Sequence, residues 1–515
     1  MNIEKFPLAD YLADLHKLNI DFKADEDLDK MVIDHVSYTS KDIQQGSLFL
    51  CKGNRFKRDY LVDAIEKGAA AYVSEKNYGV DIPAVIVSDM RRTVPAFAAR
   101  YFNFPQDRLT ILSITGTKGK STTTVILENI FEEHVKETGL GPVGVISSMK
   151  NYDGKEEIIT NMTTPEPMEL FGILRRCVAN GVSTVIIESS SQALKYHRLD
   201  GIRSNFSGML NISEDHISPL EHADFEDYYS SKLKIYDHSK HGIVNLDADL
   251  ADRTLDYAGT RTDLTTISLR KDADYRITGL EASAEGTSFD IVYPDGNQHA
   301  YRTNLLGAFN AENILMAVAI ADRLGVSPQA IQRGLVHIQT PGRMEFYSSK
   351  DKMVVFLVDF AHNKLSTEVV LADMRQAMPD YYQIPIFGSV GNRSENRRTG
   401  LGEAAGKNAD YVILTSDNPD FESLDAINRE IGEIIDRYNC PWEQVEERPK
   451  AAERALELAI ENVRKGIKTL VFLLGKGTET TERYFGKEVE IPTDIVLAKE
   501  MVARYDKMVE ETKAN

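Results

Sequence analysis

The heptapeptide Gly116-Thr-Lys-Gly-Lys-Ser-Thr122 constrains this chain more than any other segment. It follows a β-rich run, residues 109–115 (LTILSIT), and precedes a pattern in which Val125, Ile126, Asn129 and Ile130 recur at helical spacing. Strand, glycine loop and helix in that order form a phosphate cradle. The glycines let backbone N–H groups curl around phosphate oxygens, and the helix N-terminus adds partial positive charge. Lys120 contributes a mobile cation, and Ser121 stands where a hydroxyl would ligate Mg²⁺. The usual spacing has a glycine five positions ahead of the Gly-Lys pair. Ile114 is there instead, so the loop is a shortened Gly-x-x-Gly-Lys-Ser variant. A glycine-rich turn with no ligand is the other reading of the same residues.

Such a loop needs a parallel sheet around it, and the flanking pattern supplies one. A helix over 168–180 is followed by a strand over 182–188 (VSTVIIE), and a later helix over 311–324 carries Ile314, Leu315, Val318 and Ala321 on one face. Alternation of this kind predicts a doubly wound, mostly parallel α/β sheet. Ahead of it lie short strands at 47–51, 70–73 and 84–87 and a helix over 61–67, closed by a linker at 103–107 (NFPQD). After Thr340-Pro-Gly-Arg343 come strands at 354–358, 384–387, 411–414 and 470–474 with helices such as 451–463, a second α/β set. At roughly 150 residues per domain a chain of 515 suggests three domains, placed at 1–107, 108–339 and 340–515.

Charge limits the partners. Sixty Lys+Arg against 79 Asp+Glu leave −19, a surface that repels nucleic-acid backbones and anionic membranes while allowing a local basic pocket. No apolar run approaches the roughly 20 residues that cross a bilayer, and MNIEKFPLAD lacks the basic flank and apolar block of a signal peptide. Cys51, Cys177 and Cys440 are far apart with no CxxC, which predicts neither disulfides nor a zinc site. The expectation is a cytoplasmic protein with no nucleic-acid partner and no membrane insertion.

Further residues carry chemistry. Glu188 ends an apolar strand, where a carboxylate faces the crevice that binds ligands and could hold Mg²⁺; an N-cap acid is the alternative. Asn211-Ile-Ser-Glu-Asp-His216 and Phe225–Lys232 (FEDYYSSK) follow, though His216 or Lys232 alone would read as structural or surface groups.

Together these residues resemble a family. The loop, Thr163-Thr-Pro-Glu166, Glu188-Ser-Ser-Ser-Gln-Ala-Leu194, the Asn211–His216 segment, Gly307-Ala-Phe-Asn310 with Asn313, Pro341-Gly-Arg-Met-Glu345 and Asp359-Phe-Ala-His362 occur in the order of the Mur ligases. Within that family the chain resembles the MurE branch, the UDP-N-acetylmuramoyl-tripeptide synthetases, from about residue 37 to about 495. The resemblance implies three α/β domains: an N-terminal UDP-binding domain, a central ATP-binding domain and a Rossmann-like C-terminal domain. It implies a role in peptidoglycan precursor synthesis, and the expected form is a monomer. ATP would phosphorylate the free carboxylate of UDP-MurNAc-L-Ala-D-Glu, and a diamino acid's α-amine would displace phosphate from the acyl phosphate.

Roles follow by position. Gly116, Thr117, Lys118, Gly119, Lys120, Ser121 and Thr122 would hold ATP, with Lys120 at the β/γ-phosphates; Asn310 would contact the adenine region, and Arg343 and Asp359 would reach the nucleotide from the C-terminal domain. Ser121, Glu188, His216 and Lys232 would form the Mg²⁺ set, Lys232 as an N-carboxylated lysine, and Lys120, Glu188, His216 and Lys232 would be catalytic. Ser40, Thr163, Thr164, Ser190 and Arg198 would bind the UDP-muramoyl dipeptide, although Thr39 and Lys41 depart from the family's Asp-Ser-Arg around Ser40.

The added amino acid would be selected at Asp417-Asn418-Pro419-Asp420, where the diaminopimelate-adding forms carry Asp-Asn-Pro-Arg. Asp420 would repel a second carboxylate and attract lysine's terminal ammonium, while Arg393 and Glu479 would grip the amino acid's ends. Thr478 replaces the histidine of the diaminopimelate form, which also favours L-lysine. Meso-diaminopimelate and L-ornithine remain alternatives, as do a P-loop kinase or NTPase, a folylpolyglutamate- or cyanophycin-type ligase and a catalytically silent paralogue.

Overall fold

The strand Thr110–Thr115 is built from β-branched and apolar residues because parallel strands flank it on both sides, Thr184–Glu188 and Phe206–Met209. In the computed structural model, which describes residues 4–514 apart from 27, 54–55, 161, 216, 218–220, 284–285, 306–307, 337, 340 and 393–395, these strands belong to a ten-stranded sheet. Its order is Asn151–Tyr152, Val143–Ile146, Thr184–Glu188, Thr110–Thr115, Phe206–Met209, His241–Asn245, Asp263–Ser268, Tyr275–Ser283, Gly286–Val292 and Gln298–Thr303. From Thr115 the chain runs to the strands on one side, and from Met209 to those on the other. The loops after these two adjacent strands therefore open a crevice at the switch in strand order, where open α/β sheets bind ligands.

Two compact units emerge, residues 1–277 with 291–299 and 312–334, and residues 278–290 with 300–311 and 335–515. The first contains the ten-stranded sheet from Asn151–Tyr152 through Asp263–Ser268, and a five-stranded sheet ordered Phe22–Ala24, Ala84–Val87, Ala69–Ser74, Ser47–Leu50 and Val36–Ser37, parallel except at its first strand.

The second unit contains a six-stranded sheet ordered Glu345–Ser348, Val354–Asp359, Lys468–Leu474, Tyr381–Phe387, Val412–Leu414 and Trp442–Gln444, parallel after its first strand. The period of two shows in Val354–Asp359. Val355 and Leu357 join a core that includes Leu371, Leu401 and Ile431, while Val354, Phe356 and Val358 join one that includes Ala455, Leu497 and Tyr505. Helices thus cover both faces, the doubly wound arrangement expected from the alternation.

Most expected elements form within a few residues of their predicted bounds; the 61–67 helix runs Arg58–Glu66 and the 384–387 strand runs Tyr381–Phe387. Residues 103–107 are not a plain linker, because Pro105–Arg108 forms a 3-10 turn entered through Asn103 and Phe104 at φ +59° and +47°.

Candidate functional site

The glycine loop carries its chemistry through backbone shape. Gly119 takes φ +82° immediately before the helix Lys120–Thr138, and a β-carbon there would collide with the Asn313 side chain. Asn211 holds the loop from the next strand: its carbonyl accepts Thr117 N–H at 3.1 Å and its Oδ1 accepts Lys118 N–H at 2.9 Å. The Tyr228 hydroxyl donates to Thr117 Oγ1 at 3.2 Å.

Two ammonium groups converge on one carbonyl. Lys120 Nζ donates to Gly116 O at 3.0 Å, and Lys232 Nζ donates to the same oxygen at 2.8 Å. Lys232 is 1% exposed and lies 4.6 Å over the Tyr228 ring. Burial holds its ammonium well below the usual lysine range; Lys120 and Lys118 push the same way, and Asp215 and Glu188 oppose them. A chain of net charge −19 thus gathers Lys118, Lys120 and Lys232 around one loop. Asp215, 3.4 Å from Lys118 Nζ, and Glu188 offset part of the repulsion, and an entering anion or a change of charge on one lysine would offset more.

Glu188, 2% exposed at the end of its strand, completes this group. Ser121 Oγ lies 3.2 and 3.1 Å from its two carboxylate oxygens, and Ser148 donates to Oε2 from both N–H and Oγ at 3.1 Å. Buried, hard, all-oxygen donors of this kind suit a magnesium-type cation.

A second cluster begins on the other side of the Glu188 strand end. Thr164 Oγ1 donates to Glu188 O at 2.8 Å and accepts Ser190 N–H at 3.0 Å. Ser190 caps the short helix Ser191–Lys195. Arg198 Nη1 donates to Thr164 O at 3.1 Å, and its Nε lies 2.9 Å from Glu166 Oε1. Lys52 forms an ion pair with the other Glu166 oxygen and lies 5.0 Å over the Tyr38 ring. Burial, with Arg198 adding to it, lowers Lys52 to about 8 despite Glu169. Thr163 is half-buried beside this group, and Ser40 opens a 3-10 turn two residues past Tyr38.

In the second unit a cavity of about 150 Å³ is lined by Phe360, His362, Ser389, Arg397, Asp417, Asn418 and Glu479, among others. These residues follow the C-terminal ends of four parallel strands of the six-stranded sheet. Burial raises the Asp417 carboxyl above the usual range, with buried Lys476 opposing. Lys476 Nζ donates to Glu479 Oε2 at 2.6 Å. Nearby, the Asp359 carboxylate accepts Met344 N–H at 2.9 Å and Ala361 N–H at 2.8 Å, and the Arg343 guanidinium stacks 4.8 Å over Phe360.

Comparison with known proteins agrees with this geometry. Residues 114–321 match the Mur ligase middle domain, and residues 342–477 match the Mur ligase glutamate ligase domain. A UDP-N-acetylmuramyl-tripeptide synthetase of Lactobacillus delbrueckii subsp. bulgaricus is 32% identical over 504 residues, 94% of this chain and 96% of the relative. The chain belongs to the Mur ligase family. A Streptococcus mutans protein named UDP-N-acetylmuramoyl-L-alanyl-D-glutamate–L-lysine ligase is 34% identical over 474 residues, 90% of this Mur ligase and 92% of the relative. Among solved structures, a UDP-N-acetylmuramoyl-L-alanyl-D-glutamate–2,6-diaminopimelate ligase superposes with a TM-score of 0.67 at 25% identity, covering 94% of this chain and 97% of that one.

In this Mur ligase the structure brings Lys120, Ser121, Glu188 and Lys232 into one group, and Thr164, Ser190 and Arg198 into another. Thr122 lies in the first turn of the loop's helix, and Asn310 is buried one turn before Asn313 on the helix Ala308–Arg323. His216 and Arg393 lie outside the described residues. Asp417, Asn418 and Glu479 share the cavity. Asp420 is not among its lining residues; its Oδ1 accepts Gly486 N–H at 2.6 Å, and Pro419 is buried. Ser148, Lys52, Glu166 and Lys476 were not singled out; Ser148, Lys52 and Glu166 meet partners far off in the sequence, while Lys476 bonds Glu479 three residues on. Glu166, inside Thr163-Thr-Pro-Glu166, and Lys476, inside Gly475-Lys-Gly-Thr-Glu479, lay within motifs of the resemblance.

Proposed function

We propose that this Mur ligase joins L-lysine to the D-glutamyl carboxylate of UDP-N-acetylmuramoyl-L-alanyl-D-glutamate, consuming ATP, in the cytosolic synthesis of a peptidoglycan precursor. The observation that carries the ligase reading is the gathering of Lys118, Lys120 and Lys232 at one loop beside Glu188 in a strongly acidic chain. Two anions, a carboxylate and a triphosphate, must meet there, and fixed cations offset their repulsion. A carboxylate oxygen attacks the γ-phosphorus and ADP leaves. The amine then attacks the acyl carbon, the proton goes to solvent, and phosphate departs with the carboxylate oxygen.

The roles divide by position along the chain. Lys120 neutralises phosphate charge, and the loop's N–H groups orient it. Arg198, Thr164 and Ser190 position the dipeptide, with Ser40 and Thr163 alongside, and Asn310, Arg343 and Asp359 contact the nucleotide. Ser121 and Glu188, with His216 and Lys232, would hold Mg²⁺, which would supply further positive charge at the phosphates. Asp417, Asn418, Arg393 and Glu479 would bind lysine, with Asp420 disfavouring a second carboxylate. The lysine choice is supported by the named activity of the Streptococcus mutans relative and by the acids along the loop. We place the domain boundaries near 108 and 340 and take the working form to be a monomer; among the described residues no helix is long and apolar enough to cross a membrane.

The test offers the muramoyl dipeptide and ATP with lysine, ornithine or diaminopimelate and measures phosphate release. Lysine should support turnover, ornithine about tenfold less, and diaminopimelate at least about thirtyfold less for a misplaced charge. Equal turnover with diaminopimelate would remove the lysine assignment. Phosphate release without any amino acid would point to an NTPase.

A further inference from the structure

The Asp417–Asp420 loop turns through Asn418 and Asp420 at φ +51° and +53°, a region that asparagine and aspartate enter more readily than other side chains. Asn418 Nδ2 donates to Asp417 Oδ1 at 3.0 Å, and Gly391 N–H donates to Asn418 O at 3.0 Å. Most of the loop's other bonds come from one hairpin, Thr481–Tyr484 with Lys487–Glu490. Asn418 Oδ1 accepts Arg483 N–H at 2.9 Å, Asp420 N–H donates to Arg483 O at 3.1 Å, and Phe485 N–H donates to Asp420 O at 3.0 Å. The Gly486 N–H donates to Asp420 Oδ1, and the exposed rings of Phe421 and Phe485 meet edge-on at 6.2 Å.

Beneath these bonds is a buried polar knot. Glu482, 3% exposed, accepts Asn418 N–H at 3.0 Å and Ser416 Oγ at 2.6 Å on Oε1, and the Tyr484 hydroxyl at 3.1 Å on Oε2. Ser416 Oγ and the Tyr484 hydroxyl also meet at 2.5 Å. The hairpin follows directly on Lys476 and Glu479, so one continuous segment, 476–486, supplies an acid to the cavity and clamps the loop that lines it with Asp417 and Asn418.

We propose that this hairpin governs amino-acid selection, with Glu482 as a positioning residue that fixes Asn418, and through it Asp417, against the cavity. The inference rests on the lysine-adding reading above and deepens it. Glu482 touches no substrate. Its role is to keep the loop's acids at a spacing that admits one diamino acid and discriminates against neighbours in length.

The experiment compares steady-state kinetics of the full chain as wild type, Glu482→Ala, Glu482→Gln and Tyr484→Phe, with lysine and ornithine as acceptors. Loss of a buried hydrogen-bonding centre should raise the KM for lysine about tenfold in Glu482→Ala. The KM values for ATP and the muramoyl dipeptide should stay within about twofold, and the lysine-over-ornithine preference should fall. Glu482→Gln should keep the lysine KM near that of the wild type, because its amide oxygen can still accept from Asn418 and Ser416 while its NH₂ faces the Tyr484 hydroxyl. Tyr484→Phe, which keeps the ring and stays informative if Glu482→Ala does not fold, should show a smaller rise of the same kind. An unchanged lysine KM in both Glu482→Ala and Tyr484→Phe, or an equal rise in all three KM values, would overturn the hairpin's role alone. Wild-type turnover that ignores the amino acid would overturn the lysine-adding reading as well.

Discussion

Lys232→Ala is expected to lose about a hundred- to a thousandfold in phosphate release, the scale on which one preorganised electrostatic group contributes to catalysis. Three features make so large an effect reasonable. The side chain is fully buried, it shares Gly116 O with Lys120, and its ammonium is held well below the normal range by burial and by two other lysines. Burial and the two neighbouring lysines favour the neutral amine, the form that adds carbon dioxide, making an N–C bond and shedding a proton. A carbamate there would reverse the sign of the charge and turn repulsion from Lys118 and Lys120 into attraction.

Lysine as a bare hydrogen-bond donor and lysine as a carbamate predict different behaviour. If only the bond to Gly116 O mattered, nothing added to Lys232→Ala would replace a carboxylate. If the carbamate matters, a short-chain carboxylic acid such as formate should enter the space vacated and restore part of the rate. Full activity in Lys232→Ala would eliminate both.

Glu188→Gln should lower kcat by about a hundredfold and raise the Mg²⁺ concentration needed for half-maximal rate about tenfold. The substitution keeps shape and volume. The glutamine can still bond Ser121 and Ser148, so the unfolding transition should stay near that of the wild type. What it removes is the charge: one anionic oxygen pair among three lysines and an incoming polyphosphate. A Mg²⁺ dependence identical to the wild type would show that Glu188 acts only as a structural acceptor for the two serines.

How much of this could be read from the residues follows from where the information lies. The phosphate loop was legible because strand, glycines, lysine and helix are consecutive, and Glu188 because an apolar run ending in an acid has few meanings in a parallel sheet. The extension Tyr275–Ser283, Gly286–Val292 and Gln298–Thr303 went unanticipated: its strands alternate with polar residues, and its turn signal, Asp295-Gly296, is short. The hairpin Thr481–Tyr484 with Lys487–Glu490 was missed because its apolar positions are sparse and its partners lie far off in sequence, whereas the helix Asp494–Ala514 does carry Leu497, Met501, Tyr505 and Met508 at helical spacing.

The same distance hides Ser148 from Glu188 and Lys52 from Glu166, pairs separated by 40 and 114 residues along the chain. For Asp420 the fold adds what the Asp-Asn-Pro-Asp segment could not show: one of its carboxylate oxygens accepts a hairpin amide.

Whether the carboxylate itself becomes phosphorylated can be read from oxygen. The muramoyl dipeptide, labelled with oxygen-18 in the D-glutamyl side-chain carboxylate, is turned over with ATP and lysine, and the released phosphate is analysed by mass. Passage through an acyl phosphate delivers one labelled oxygen to each phosphate. Phosphate carrying only unlabelled oxygen would mean that water, and not the carboxylate, took the phosphoryl group.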